Sequence, residues 1–320
     1  MGQEGSSTRD HFSDSSDDAV LDKIKKEQTQ QVHMDANTRK EQFQELRGSN
    51  TIEASLKIMN HLGICLNDLS PNKVPPQLAD GISSKVLLIV VNTYTKPKYQ
   101  LGVGPLNDSI TVAINHKKMG YKMVFLHNTT PKIFKSWLQF VLEKSETDLT
   151  IFYTGHGCSV VDKSGDESDG YDEVMLFDTG YVIDDELAEY LAQYAHGQRI
   201  VLLSDCCHSG SMWDIQSHPG MKGVIPDNIM SISASKDDQT AKQTKIKSTD
   251  QGIFSYYFWD LFNKDQNITT KQMETKINPY ISRFKQHFTY ATTSPSMLDE
   301  PIFPHRERPP ADHPNRGHTY

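Results

Sequence analysis

The sequence contains 320 residues, with 33 Lys and Arg against 41 Asp and Glu, so its formal net charge is -8. This acidic balance argues against a protein that binds nucleic acid through a basic surface, and we expect no nucleic-acid partner. The four cysteines contain no CxxC pair and are too few for a disulfide framework, which favours a cytoplasmic protein over a secreted one.

Residues 1–80 are predicted to form an N-terminal extension that is partly disordered or helical and is a candidate pro-region. The first 50 residues are polar and poor in aromatic side chains, so they lack the apolar surface needed to fold alone. The opening letters MGQEGS match the pattern for N-myristoylation at Gly2, which would attach the protein to a membrane; the alternative is a plain disordered start. No apolar run is long enough to cross a bilayer, and we expect no transmembrane segment.

Residues 81–300 alternate between strand and helix patterns and are predicted to form the main domain. Buried strands are indicated by KVLLIVVN, YKMVFLH, DLTIFYT, RIVLLSD and NIMSISAS, and amphipathic helices separate most of them. Since strands joined through helices pair in parallel, the pattern predicts an α/β fold with a mostly parallel central β-sheet flanked by helices on both faces. Residues 301–320 are Pro-rich and are predicted to form an irregular tail.

Two motifs follow predicted strands, at the edge where the loops of a parallel sheet converge. YTGHG places His156 there, and SDCCHSG places Cys206 and Cys207 there. A cysteine nucleophile needs a base close in space, and His156 lies 51 residues upstream of Cys207, as in the caspase-type arrangement. Each residue alone is ordinary packing, but together they predict a reactive pair. The residues themselves do not decide which cysteine reacts.

Backbone and acidic groups near these motifs suggest how a substrate would be held. The backbone N–H groups of Gly157 and Cys207 are candidates for an oxyanion hole. Asp205 lies at the mouth of the site, and Asp108 follows the first strand of the sheet. Two buried carboxylates would repel an acidic substrate and accept Lys or Arg before the scissile bond. The alternative for Asp108 is a helix cap.

Four further acids suggest a cation site. If they converge, an all-oxygen set of this kind suits Ca²⁺ better than Zn²⁺. Alternatively, the two that open a predicted helix face its macrodipole, and the acidic loop is simply solvated. The candidate ligands are Asp172, Asp184, Asp185 and Asp214.

The motifs YTGHG, DKSGDESDGYDE, VIDDE and DCCHSGSMWD resemble, in order and spacing, the metacaspases, which are caspase-like cysteine peptidases. The resemblance covers roughly residues 80–300 and implies a caspase-like fold with His156 and Cys207 as the catalytic dyad, so that Cys206 is a packed neighbour. It also implies a calcium site at the four aspartates named above. Thr154 would join Asp108 and Asp205 in the S1 pocket, which receives the residue before the scissile bond.

One departure concerns the wall of that pocket. The family often has a cysteine three residues before the pocket aspartate, and here Pro105 stands at that position. The resemblance therefore predicts the fine specificity of the pocket less directly than it predicts the other properties.

The expected function is that of a calcium-dependent cysteine endopeptidase that cleaves proteins or peptides after Arg or Lys. The polar segment after the strand NIMSISAS carries Lys242, Lys245 and Lys247, which are candidate self-cleavage sites of a zymogen. The alternative for this segment is a solvated loop. The layout resembles type I metacaspases, from which we expect a monomer.

Three other functions are alternatives to this one. A catalytically silent caspase-fold scaffold would have lost the cysteine or the histidine, and both are present. A dinucleotide-binding protein is suggested only by GVGP at 102–105, which lacks the third glycine. A related peptidase that cleaves after Asn or Asp should have a neutral or basic pocket.

Overall fold

The computed structural model describes residues 36–73, 85–161, 171–206, 212–215, 224–233, 243–246 and 249–304. The chain divides into two compact units, residues 1–48 and 49–320. In the first unit, the structure describes helix α1 (Ala36–Ser49), of which residues 36–48 belong to that unit. Gly2 lies outside the described residues, so its myristoylation stays a prediction.

The second unit consists of helices on both sides of a large sheet, with two small antiparallel sheets. The helices are α2 (Ile52–Leu62), α3 (Gly104–Lys118), α4 (Pro131–Lys144), α5 (Asp184–Tyr194), α6 (Ile253–Lys264) and α7 (Thr270–Ile281). The strands are β1 (Ile64–Cys65), β2 (Lys85–Val91), β3 (Lys122–His127), β4 (Asp148–Thr154), β5 (Gly157–Val161), β6 (Tyr171–Phe177), β7 (Gly180–Ile183), β8 (Arg199–Asp205), β9 (Ile229–Ser233), β10 (Gln243–Ile246), β11 (Thr249–Gly252) and β12 (Thr289–Thr292).

The central sheet has seven strands in the order β1-β3-β2-β4-β8-β9-β12. All neighbouring pairs are parallel except β9 and β12, which are antiparallel. The predicted mostly parallel sheet is therefore confirmed. The two-residue strand β1 at one edge was not predicted, because it is too short to show any periodicity.

Helices cover both faces of this sheet, as the sequence predicted. On one face, α4 and α5 pack against alternate strand residues; Trp137 of α4 and Leu88 of β2 belong to the same buried cluster. The intervening residues, such as Leu87, are equally buried. They belong to the opposite face, where α3 contacts β2, β3 and β4 and packs against α6.

Strands β5, β6 and β7 form a separate antiparallel sheet. This second sheet was not predicted, because β5 and β7 are short and half exposed. Strand β5 begins at Gly157, directly after His156, so this sheet starts at the carboxyl end of β4.

The compact unit begins earlier than the sequence suggested. Helix α2 buries Ala54, Ile58 and Met59, and the Ser55 hydroxyl donates to Asn107 Oδ1 on α3 at 3.1 Å. Residues 49–73 therefore share the unit that contains the sheet, whereas the sequence placed the start of the domain at residue 81. A role as a pro-region stays a prediction.

Charged side chains occupy the amino end of the sheet. Lys85, Asp148 and Arg199 are register neighbours at the first positions of β2, β4 and β8. The buried guanidinium of Arg199 bonds to Glu300 Oε2 at 2.9 Å and to the Pro301 carbonyl at 3.0 Å. The beginning of the predicted C-terminal tail is thus fixed to the sheet, while residues 305–320 lie outside the described part of the chain.

We find no helix among the described residues that is long and apolar enough to cross a bilayer. The compartment in which the protein works stays a prediction.

Candidate active site

The two motif-bearing strands are adjacent, so their carboxyl ends lie side by side. Thr154, at the end of β4, is the register partner of Asp205, at the end of β8, and His156 follows Thr154 by two residues. Cys206 is buried, 1% exposed, in the core cluster on the α4 face. Cys207 lies outside the described residues, and its role as nucleophile stays a prediction.

The imidazole of His156 is oriented by a backbone carbonyl. Its Nε2 lies 2.9 Å from the carbonyl oxygen of Tyr99, in the short helical turn Pro97–Tyr99. A carbonyl oxygen can only accept, so this contact assigns the proton to Nε2. Nδ1 then carries the lone pair and is the nitrogen that can take a proton from a nucleophile.

Two tyrosine hydroxyls hold the backbone of His156. The His156 N–H donates to Tyr94 Oη at 2.6 Å, and Tyr153 Oη donates to the His156 carbonyl at 2.7 Å. A Cβ on Gly155 would lie 2.9 Å from Tyr94 Oη and 3.0 Å from Tyr153 Oη. A glycine is therefore needed at this position for the two hydroxyls to approach the chain.

The loop that carries Tyr94 is itself fixed by a neighbouring strand end. Asn128, which follows β3, accepts from the N–H groups of Thr93 and Tyr94 through its Oδ1, at 2.8 and 3.0 Å. Sequence reasoning missed Tyr94, Tyr99 and Asn128. In the sequence, the only indication of a role is that each residue follows a predicted strand. Many residues without a function also follow strands.

The two predicted S1 carboxylates meet at one backbone position, Gly252. Both carboxylate oxygens of Asp108 lie 2.9 Å from the Gly252 N–H. Asp205 Oδ2 accepts from the hydroxyl of Ser255 at 2.5 Å. A Cβ on Gly252 would overlap Asp205 Oδ2 and lie 3.0 Å from Asp108 Oδ2, so the carboxylates converge on the start of α6.

Asp108 does not cap a helix. It lies inside α3, the residue at the cap position is Val103, and no side chain makes a cap hydrogen bond there. The carboxylate instead accepts from the Gly252 N–H and lies near Asp205, at the carboxyl end of β8.

Burial makes it costly for both pocket carboxylates to be charged. Desolvation, and then the nearby charge of Asp205, raise the pKa of Asp108 well above its ordinary value. Desolvation likewise raises the pKa of Asp205 to about 6, although the hydrogen bond from Ser255 opposes the shift. A bound cation would relieve this cost, because it favours the ionised form of both groups.

The remaining predicted groups of this site occupy fitting positions on the strands. Thr154 is buried, and alternation along β4 and β8 places it on the same face as Asp205. Gly157 is also buried and begins β5 next to His156. The oxyanion role of Gly157 stays a prediction.

The predicted calcium ligands are only partly brought together. Asp172 and Asp185 line a cavity of about 480 Å³ together with Glu186. Asp184 is buried at the first turn of α5, where its carboxylate accepts from the N–H groups of Glu173 and Asp185, both at 3.0 Å. Desolvation raises the pKa of Asp184 to about 8, and the charges of Glu173 and Asp172 add to the shift.

No three His, Cys, Asp or Glu side chains in the described ranges are arranged to hold a metal ion. Asp214 is buried and has a left-handed backbone with φ of 41°. The oxygen donors and their burial suit a hard cation such as Ca²⁺, and the calcium site stays a prediction.

The candidate self-cleavage sites lie in or beside the hairpin of β10 and β11. Lys245 is on β10, in register with Asp250, while Lys242 and Lys247 lie outside the described residues. The predicted polar loop is thus partly a hairpin. Its second strand is held to α3, because Asn107 Nδ2 donates to the Asp250 carbonyl at 2.8 Å.

Comparison with known proteins gives concordant matches. The sequence profile of the metacaspase, peptidase C14 domain matches residues 98–216. Metacaspase-1 of Arabidopsis thaliana is 31% identical over 147 residues, which is 38% of this chain and 40% of that protein. Metacaspase-1A of Aspergillus oryzae is 32% identical over 162 residues, 45% of this chain and 38% of that protein. Metacaspase-1 of Botryotinia fuckeliana is 29% identical over 61% of this chain and 51% of that protein.

The fold also matches a solved structure. A crystal structure of a protein from Geobacter sulfurreducens superposes with a TM-score of 0.52 and 20% identity, covering 68% of this chain and 96% of that one. The chain spans 38% to 51% of the length of the curated relatives named above. Over residues 98–216 the chain is therefore similar to the metacaspase, peptidase C14 domain, and it has a mostly parallel α/β fold.

Proposed function

We propose that this chain is a cysteine peptidase that cleaves protein or peptide bonds after Arg or Lys. The observation that carries the proposal is the convergence of Asp108 and Asp205 on Gly252, beside the strand end that carries His156. Two buried carboxylates at this position form an acceptor for one basic side chain, and they would disfavour an acidic one.

The expected reaction uses His156 and Cys207 in two steps. His156 Nδ1 takes the thiol proton as the Cys207 sulfur attacks the carbonyl carbon of the substrate. The tetrahedral intermediate collapses to a thioester when His156 gives that proton to the leaving amine. Water then attacks the thioester, again losing its proton to His156, and the carboxylate product leaves as the thiol re-forms.

The bond after a basic residue would be selected by charge and by the shape of the pocket. The Gly252 N–H and the Ser255 hydroxyl already bond to the two carboxylates and fix their direction. A guanidinium or ammonium group entering beside Gly252 would stabilise the ionised carboxylates. An uncharged or acidic side chain would leave the buried acids without a counter-charge.

Initial rates on fluorogenic peptides ending in Arg, Lys, Asp or Asn test this proposal. We expect kcat/KM for the basic peptides to exceed that for the acidic and neutral ones by at least about 100-fold, because leaving a buried charge unpaired costs several kcal/mol. Cys207→Ala, prepared in parallel, controls for contaminating peptidases. Equal rates on all four peptides would contradict an acidic pocket that selects basic side chains. Cleavage of none of them would favour the catalytically silent scaffold.

We propose in addition that Ca²⁺ binds beside α5, held by Asp172, Asp184, Asp185 and Asp214. The support is the burial of Asp172, Asp184 and Asp214 and the cavity that Asp172 and Asp185 share. Bound calcium would supply positive charge that offsets the repulsion among these carboxylates. It would thereby hold the start of α5 against β6.

The calcium proposal predicts a change in thermal stability that does not depend on activity. At a hundred times its Kd, Ca²⁺ should add about 2.7 kcal/mol to the free energy of unfolding and raise Tm. Asp172→Asn should lose this rise. Asp260→Asn, which alters an exposed acid paired with Lys264 on α6, should keep it. A wild-type Tm that Ca²⁺ leaves unchanged would contradict the proposal.

A further inference from the structure

We propose that Tyr94 is a positioning residue for the catalytic base. Its hydroxyl fixes the His156 backbone, and its ring supports the imidazole. The inference rests on the proposed function, since it assumes that His156 is the base. It rests on three independent observations of Tyr94: its hydrogen bonds, its ring contact and its backbone conformation.

The hydroxyl of Tyr94 forms a bridge between two segments. It accepts from the His156 N–H at 2.6 Å and donates to the Leu176 carbonyl at 2.9 Å. Burial raises the pKa of this phenol well above its ordinary value, so it stays neutral and able to donate. The His156 backbone is therefore attached through one buried oxygen to strand β6, which pairs with β5 on one side and β7 on the other.

The ring of Tyr94 lies against the imidazole of His156. Their centroids are 4.9 Å apart and the planes are inclined by 33°. Tyr99, whose carbonyl binds Nε2, has its ring 6.2 Å from the same imidazole. The aromatic face beside His156 limits rotation of the imidazole.

The backbone of Tyr94 is held in an unfavourable conformation. Its φ is 63°, in the left-handed region that a bulky side chain rarely adopts. Asn128 Oδ1 binds the N–H of Tyr94, and Asp178 binds the next N–H, that of Thr95, at 3.1 and 3.0 Å. Such strain persists only where the surrounding contacts enforce it, and it is concentrated at functional sites.

The two roles can be separated by two variants. Tyr94→Phe removes only the hydroxyl and should lower kcat on the order of ten-fold while KM stays within about two-fold, because only the base is displaced. Tyr94→Leu also removes the ring and should lower kcat further. The matched control is Tyr280→Phe, which removes a hydroxyl from an exposed tyrosine stacked on Tyr257 at 5.0 Å. It should leave both constants unchanged.

Hydrogen exchange at the His156 amide gives a readout that needs no activity. Tyr94→Phe should accelerate this exchange, because the N–H loses its acceptor, and Tyr280→Phe should not. Unchanged kcat in Tyr94→Phe overturns the inference if the wild type cleaves peptides. If the wild type cleaves none, the proposed function fails, and unchanged exchange at His156 then overturns the positioning role separately.

Discussion

Replacing His156 by glutamine is expected to lower kcat on Arg peptides by a factor of about 10² to 10⁴, the usual contribution of a general acid and base. Glutamine can still donate to the Tyr99 carbonyl, so the loop should keep its shape. It has no group that can take the thiol proton at neutral pH. The loss should therefore appear in kcat, with little change in KM, and steady-state rates on a fluorogenic Arg peptide measure it.

The matched control for this substitution is His61→Gln, at an exposed histidine in the last turn of α2. It should leave kcat and KM unchanged. Alkylation of Cys207 by iodoacetamide gives a second reading, and it should slow in His156→Gln because less of the thiol is ionised. Activity within about ten-fold of wild type would remove His156 from the role of base, since a general base contributes more than that.

Replacing Gly252 by alanine is expected to reduce kcat/KM on Arg and Lys peptides about 100-fold, because disturbing a buried charge pair costs about 2–5 kcal/mol. The backbone at Gly252 has φ of -68° and ψ of 137°, which alanine adopts without strain. The whole effect would come from the methyl group, which overlaps Asp205 Oδ2 and crowds Asp108. Both carboxylates would have to move away from the direction in which they receive a cation.

Two further measurements identify the source of that loss. Iodoacetamide should alkylate Cys207 at the wild-type rate in Gly252→Ala, since the change does not touch His156. Overpacking should also lower the free energy of unfolding by about 1–3 kcal/mol. Gly48→Ala adds a methyl group where no atom lies within 4 Å and is the matched control. Wild-type rates on Arg peptides in Gly252→Ala would show that the basic side chain binds elsewhere.

The fold was predictable where periodicity is strong. The apolar runs at β2, β4 and β8 are seven residues long and almost entirely buried, so their pattern indicates buried parallel strands. Strands β1 and β12 were missed. They are short edge strands whose pairing depends on a neighbour far along the chain, and no local pattern records it.

The candidate site was predictable only in part, for the same physical reason. His156 and Asp205 lie at the ends of apolar strands. Because the carboxyl ends of parallel strands meet at one edge of the sheet, the sequence predicts that these residues lie close together. Ser255 belongs to helix α6, which begins nearly fifty residues after Asp205, and Gly252 directly precedes that helix. Only the packing of α6 against α3 brings both residues to the carboxylates. Tyr94 was missed because its strain and its hydroxyl bridge exist only in the folded chain.

The charged residues at the amino end of the sheet lie far from the candidate active site. Strands β4 and β8 are seven residues long, so Asp148 and Arg199 lie about 20 Å from the ends that carry Thr154 and Asp205, at about 3.3 Å per residue. Arg199 and Glu300 fasten the chain at one end, while Thr154 and Asp205 occupy the other. Substitutions at the Arg199–Glu300 ion pair should therefore change thermal stability without moving Thr154 or Asp205.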